Sequence, residues 1–453
     1  MKSLKKNRDM AYHVLPPYGL LNDPNGLIYF KGFTHVFFQW NPHKLDHSYK
    51  AWGHAVTKDL VNFEYLEAAL IPEESYEKNG CYSGSSIVHE ELLYLFYTGN
   101  VKDDKGNRES YQCIAVSEDG FNFEKKGPVI GKIPGYTGHV RDPKVFKEKN
   151  TFYMVLGAQR DNLTGDTILF KSNDLYNWEF LGSLMDEKFN LGYMWECPDL
   201  IRFNDKSAFV FSPQGLQVLG EKYKNIYQSG YFTGEFTDET FKRDNHDFRE
   251  LDLGFEFYAP QSFEYHDGRT LLLGWMGVME EAMEKSLPTL ENNWAHHLTI
   301  FREISISKEG NLIQRPLREL KDYRIPLDNF IGSNYRAFFS EPLEIKIKFN
   351  KTPKDFTLQF GENLKLIYQK ADNSFKVNRE NWKTKSIEYR KAILFRELKD
   401  IQIYLDYTSM EIFINMGEEV FSLRYFEGQN KKELIIKSTE EINLNIYNLE
   451  FTK

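Results

Sequence analysis

Residues 22–30 read NDPNGLIYF, and four later stretches repeat their outline: YSGSSIV at 82–88, RDPKVF at 141–146, ECPDLIRF at 196–203 and YAPQSFEY at 258–265. Each opens on polar residues and runs into a short strand-like segment rich in aromatic and aliphatic side chains. Turn residues and a second aromatic strand follow each copy, as HVFFQW, LLYLFYTG, TFYMVLG, SAFVFS and TLLLGW. Aligned on Pro24, Ser83, Pro143, Pro198 and Pro260, the copies lie 59, 60, 55 and 62 residues apart. A unit of that length, built of strands and turns, matches one four-stranded blade of a β-propeller. Five copies predict an all-β chain that opens with a five-bladed β-propeller over residues 1–318. Two separate β-sandwiches would not require so regular a spacing.

A second element supports the repeat. KDLVNF (58–63), EDGFNF (118–123) and NDLYNW (173–178) each place an aromatic four residues after Asp59, Asp119 or Asp174, in a turn-like context. Helical signal is scarce; VMEEAMEKSL at 278–287 is the best candidate. Beyond a linker at 319–335, residues 336–453 alternate apolar and polar side chains with period two, as in LEIKIKF, IQIYLDY, MEIFIN and INLNIYNLEF. That pattern predicts an antiparallel β-sandwich, read as a packing domain.

Composition narrows the function classes. The chain has 453 residues, with 36 Phe, 27 Tyr and 7 Trp, a content that suits β-structure and sugar-binding surfaces. The formal net charge is −9 and no basic block argues for nucleic acid. No apolar run reaches the ~20 residues of a membrane span. The N-terminus is basic but no apolar signal core follows, and Cys81, Cys113 and Cys197 are poor disulfide material. A cytoplasmic enzyme is expected. ECPD at 196–199 resembles half a metal motif, but it has no CxxC partner and the histidines lack zinc-type spacing, so no metal is expected.

In a propeller the first strand of each blade lines the central channel. Three of the five copies carry an acid at or near the same relative position: Asp23, Asp142 and Glu196. Acids from three blades would converge on one pocket, the pattern of a glycoside hydrolase with a carboxylate nucleophile and a protonated partner. Sequence neighbours suggest the division of labour. Glu196 follows Tyr193, Met194 and Trp195, a partly apolar setting that would keep it protonated. Asp23 lies between Asn22 and Asn25, and Asp142 follows Arg141, whose charge would keep it ionised.

These segments carry a resemblance. NDPNG, RDP and ECPDL, with FFQWNP (37–42), AWGHAVTKDLVNFE (51–64), CYSGSS (81–86), SPQG (212–215), LDLGFEFYAPQSF (251–263) and GRTLLLGWMG (268–277), make the chain similar to glycoside hydrolase family 32, the invertases and fructanases. The resemblance spans nearly the whole chain and implies Asp23 as nucleophile, Asp142 as transition-state stabiliser and Glu196 as acid/base. It places a sugar-binding shell on Asn22, Gln39, Tyr82, Ser83, Arg141 and Trp275, with Trp52 and Tyr258 as further members. The chain departs from the family pattern at Leu21, at Val140 and at Trp294-Ala295-His296, none of which removes a catalytic group.

The implied activity is retaining β-fructofuranosidase, on sucrose 6-phosphate or sucrose as a small-molecule sugar substrate, a hydrolysis that needs no organic cofactor. A fructo-oligosaccharide or fructan exo-hydrolase is the alternative, and a non-catalytic sugar-binding propeller is the alternative of another class. The loop NPHKLDHSYK (41–50) offers His43, Lys44, His47 and Lys50 as a cationic lip for a phosphate.

Overall fold

The computed structural model describes residues 3–4, 9–185, 190–203, 206–244, 247–428 and 430–451; the basic start of the chain (residues 1, 2 and 5–8) lies outside them. Five antiparallel units follow one another. The first comprises Gly19–Phe30, Phe33–Asn41, Ala51–Thr57 and Phe63–Leu70, and the second Cys81–His89, Leu92–Lys102, Arg108–Ser117 and Glu124–Ile130. The third comprises Tyr136–Glu148, Thr151–Arg160, Gly165–Ser172 and Glu179–Ser183, and the fourth Met194–Phe203, Lys206–Gln214, Gly230–Thr237 and Thr240–Arg243. The fifth comprises Phe257–Glu264, Thr270–Met276, Arg302–Ile306 and Leu312–Pro316. The first strands of successive blades pack against one another, and the fifth packs against the first, closing a ring. Trp294–Ala295 pairs in parallel with Gly19–Leu20, and Trp275 Nε1 donates to the Leu21 carbonyl at 3.0 Å, so hydrogen bonds tie the last blade to the first.

The repeated polar segments have a structural reason. In every blade the first strand slips register there: between Leu21 and Pro24, Tyr82 and Gly84, Arg141 and Lys144, Glu196 and Asp199, and Tyr258 and Gln261. A bulge is one of the few places in a sheet that accepts proline, because the extra residues owe the ladder no N–H. Within this frame Asp142 aligns with Cys197 and Ala259, all at positive φ (63°, 47° and 49°). Glu196 stands one residue earlier, in line with Arg141 and Tyr258. The acids therefore stand at or beside the bulge, at neighbouring and not identical positions, in keeping with the expectation.

The Asp-aromatic repeat is a turn device between the third and fourth strands. Asp59, Asp119 and Asp174 each accept from the backbone N–H groups two and three residues on, which frees the intervening residue to take φ of 65°, 82° or 71°. The expected helix is the single turn Glu281–Glu284. Among the described residues no helix is long and apolar enough to cross a membrane.

The C-terminal part is a ten-stranded antiparallel sheet folded over itself. Its pivot is Lys432–Leu449, whose first half pairs with Asp355–Phe360 and whose second half pairs with Leu343–Phe349. Ile345, Leu358, Leu366, Ile403, Ile412, Leu434 and Leu444 fill the space between the layers. INLNIYNLEF, up to Leu449, is thus the second half of one bent strand that begins at Lys432. Residues 324–335, expected as linker, already pair with it as part of the strand Arg324–Phe339. Buried charges bind propeller to sandwich: His13 to Asp406 (2.7 Å) and Glu411 (3.1 Å), and Arg302 to Glu411 (2.7 Å).

Candidate active site

The bulges aim polar side chains that a regular pleat would send elsewhere. Asp23, on the first blade, accepts a hydrogen bond from Ser83 Oγ of the second blade at 2.6 Å. Asp142 Oδ2 accepts the Cys197 N–H at 3.0 Å, and the Asp142 N–H donates to Thr98 Oγ1 at 3.0 Å. The positive φ of Cys197 turns its N–H toward the third blade.

Glu196 is held by three blades. Arg141 closes on Oε1 through Nε (2.9 Å) and Nη2 (2.7 Å), while Gln214 Nε2 and the Tyr258 hydroxyl each donate to Oε2 at 2.7 Å. The apolar setting expected for Glu196 is absent. Successive strand residues face opposite ways, so Trp195 turns into the fourth blade's core, its indole N–H on the Leu191 carbonyl. Arg141 likewise spends its guanidinium on Glu196 rather than on Asp142. Burial pushes the Asp142 carboxyl up, and the Glu196 charge adds to this against the opposing pull of Arg141. Burial and the Glu196 charge also raise Asp23, against the hydrogen bond from Ser83. The three carboxylates therefore form one electrostatic group.

The rest of the expected shell divides into two sets. Asn22 stands beside Asp23 and accepts from Lys50 Nζ at 2.6 Å. Gln39 donates to the Cys81 carbonyl at 2.8 Å. Tyr82 is half-buried beneath the Arg108 guanidinium, 5.4 Å from its ring centre. Trp275 shows an edge to Tyr258, His47 and His296. Trp52 is the exception: it is fully buried against Phe37, with its indole N–H on the Tyr82 carbonyl, and supports the wall from behind.

The lip loop is corrected in part. His43, Lys44 and His47 are exposed, but Lys50 is only 9 % exposed and joins Asn22 to His47 Nδ1 (2.9 Å). Burial pulls the Lys50 ammonium down to about 8, against the charges of Asp23 and Glu284. His47 and His296 both place Nε2 on Glu284 Oε1, at 2.9 and 2.7 Å. These three side chains bring potential ligand atoms within 4.8 Å of one another, but as a hydrogen-bonded set with the Lys50 cation adjacent, which opposes a metal ion. Gln214, although it lies in the SPQG motif, and the Cys197 N–H are site groups beyond those expected from the sequence. The signal for Gln214 was its place on the strand that pairs with the one bearing Glu196.

A five-bladed propeller with three acids on its axis-facing strands is a glycoside hydrolase arrangement, and the chain is an enzyme of that class. It belongs to glycosyl hydrolases family 32: the family's N-terminal domain matches residues 13–316 and its C-terminal domain residues 332–452. Among curated proteins it is 44% identical over 452 residues to the sucrose-6-phosphate hydrolase of Bacillus subtilis, covering 97% of this chain and 93% of that protein. It is 41% identical to the sucrose-6-phosphate hydrolase of Salmonella typhimurium, covering 94% and 90%. Among solved structures, the β-fructofuranosidase of Bombyx mori superposes with a TM-score of 0.86 at 34% identity, covering 97% and 94%. The sucrose-6-phosphate hydrolase of Lactobacillus gasseri superposes with 0.88 at 29% identity, covering 97% and 93%.

Proposed function

We propose that the chain is a retaining β-fructofuranosidase that hydrolyses sucrose 6-phosphate to fructose and glucose 6-phosphate. The observation that carries this reading is the meeting of Asp23, Asp142 and Glu196 from three blades, each held by donors from a neighbouring blade. Asp23 attacks C2 of the fructosyl unit while Glu196 gives its proton to the departing glucose oxygen. Positive charge develops on the fructosyl ring, and Asp142 grips ring hydroxyls whose hydrogen bonds tighten as it does. Glu196 then takes a proton from water, which releases fructose from Asp23 with retained configuration. Asn22, Gln39, Tyr82, Ser83, Arg141, Tyr258 and Trp275 shape the fructose seat, and Trp52 supports it from behind.

The names of the curated relatives support the phosphate ester as substrate. The cytoplasm, where sugars are phosphorylated, is the compartment that fits it. Three free cysteines fit a reducing environment. In this reading the propeller (residues 1–318) carries the chemistry and the sandwich (residues 336–453) braces it. The test is kcat/KM for sucrose 6-phosphate, sucrose and kestose side by side. A preference for kestose would replace this substrate with a fructo-oligosaccharide, and no turnover of any of the three would remove the activity.

A further inference from the structure

The lip at 41–50 lies on the Asp23 side, and its one buried cation is committed to Asn22. A second basic group stands on the Glu196 side, where the leaving sugar must emerge. Lys102 and Arg108 face each other directly across two antiparallel strands of the second blade, so their side chains share one face. The Arg108 guanidinium lies over Tyr82 and, among the described residues, forms no ion pair.

Gly138 of the third blade passes hard against Arg108. A Cβ on Gly138 would lie 2.0 Å from the Arg108 carbonyl oxygen, so only glycine permits this approach, which brings His139 alongside. Arg141 Nη1 donates to His139 Nδ1 at 3.0 Å, which leaves Nε2 as the ring's N–H donor. Burial first, then the charges of Arg141, Arg108 and Lys102, push His139 down to about 4, so the ring is a neutral donor at pH 7. Of the nearby acids, Asp103 accepts the N–H groups of Lys105 and Asn107 in its own turn, Glu109 accepts the Tyr111 hydroxyl and Glu196 pairs with Arg141, while, among the described residues, Asp104 on the same turn forms no ion pair with Lys102 or Arg108.

A positive group without a counter-anion, one step beyond the acid that protonates the leaving oxygen, calls for an anion on the leaving sugar. We propose that Arg108, Lys102 and His139 are the seat for the phosphate of a phosphorylated glucose leaving group. Arg108 supplies the planar fork suited to a phosphate, Lys102 a mobile charge and His139 a fixed N–H. This rests on the reading of sucrose 6-phosphate as substrate. It assigns phosphate selectivity to the second and third blades rather than to the loop at 41–50.

The test measures the ratio of kcat/KM for sucrose 6-phosphate to that for sucrose in the wild type, Arg108→Gln, Arg108→Lys, Lys102→Met and Lys44→Ala. The wild type is expected to favour the ester, and Arg108→Gln to lower the ratio at least tenfold. Lys102→Met lowers it less, Arg108→Lys restores part of it, and Lys44→Ala leaves it unchanged. Added salt lowers the wild-type ratio because the attraction is screened. Glucose 6-phosphate should inhibit sucrose hydrolysis more strongly than glucose does, and Arg108→Gln should erase that difference, a readout on enzyme that is demonstrably folded. A wild-type preference that survives in Arg108→Gln, or that falls in Lys44→Ala alone, overturns the seat. A wild type with no preference overturns the substrate reading and the seat with it.

Discussion

Arg141 pairs with Glu196, 55 residues further on and in the next blade, and not with its sequence neighbour Asp142. Both Nε and Nη2 converge on Oε1, so the guanidinium holds the carboxylate in position as well as supplying charge. Arg141→Lys keeps the charge but loses the fork. Hydrogen bonds to charged groups contribute about 1.5–3 kcal/mol each. Steady-state kinetics should therefore show kcat reduced roughly 10–100-fold for Arg141→Lys, with the fold unchanged by circular dichroism. Near-normal kcat would mean that the pairing is incidental.

The chemistry predicts retention. Proton NMR of the first-formed fructose should show the β-furanose anomer before mutarotation, whereas an inverting propeller enzyme would release the α form. Asp23→Asn and Glu196→Gln should each lose at least about 10²–10⁴-fold in kcat, with unfolding midpoints close to wild type. Substantial turnover by either folded variant would reassign the acids.

Asp23 and Asp142 share one direction of shift, upward, caused by burial first and reinforced by the Glu196 charge. A raised carboxyl stays protonated to higher pH, so activity that requires its anion is lost as pH falls through that raised value. The acid limb of kcat/KM should lie above the ordinary carboxylate range of about 4. In Glu196→Gln the repulsion is gone, and the acid limb of the residual activity should move to lower pH. A limb unmoved by that substitution would mean that the carboxylates act independently.

His13 ties the start of the propeller to the sandwich. Burial opposes its charge, but the hydrogen bonds to Asp406 and Glu411 outweigh burial and hold it up at about 8, against 6.5 for an ordinary histidine. Raised in the folded state, it contributes stability that is complete below pH 6.5 and lost as pH rises through about 8. The shift corresponds to about 2 kcal/mol. Urea titrations at pH 6 and pH 9 should show wild type losing about that much more than His13→Gln. Equal losses would remove His13 as the cause.

The blades were legible in the sequence because a blade is a local unit: its strands are consecutive, its turns recur, and its bulge is marked by proline or serine every 55–62 residues. The three acids were legible for the same reason, since each stands at or beside a bulge. The sandwich was legible in its alternating strands but not in its pivot, because a strand that bends between layers keeps the same period. IEYRKAI, the strand Ile387–Ile393, was not read because none of its side chains is buried and it carries little apolar alternation. What only the tertiary structure decided was the choice of partners: Arg141 for Glu196, Gln214 and Tyr258 on the same carboxylate, Lys50 buried on Asn22, and Trp52 turned into the core. Arg141, Tyr258 and Trp52 find their partners in another blade, and Gln214 and Lys50 find theirs on another segment of their own blade. Sequence adjacency carries no information about such contacts, because successive strand residues face opposite ways while residues far apart in the chain meet where the ring closes.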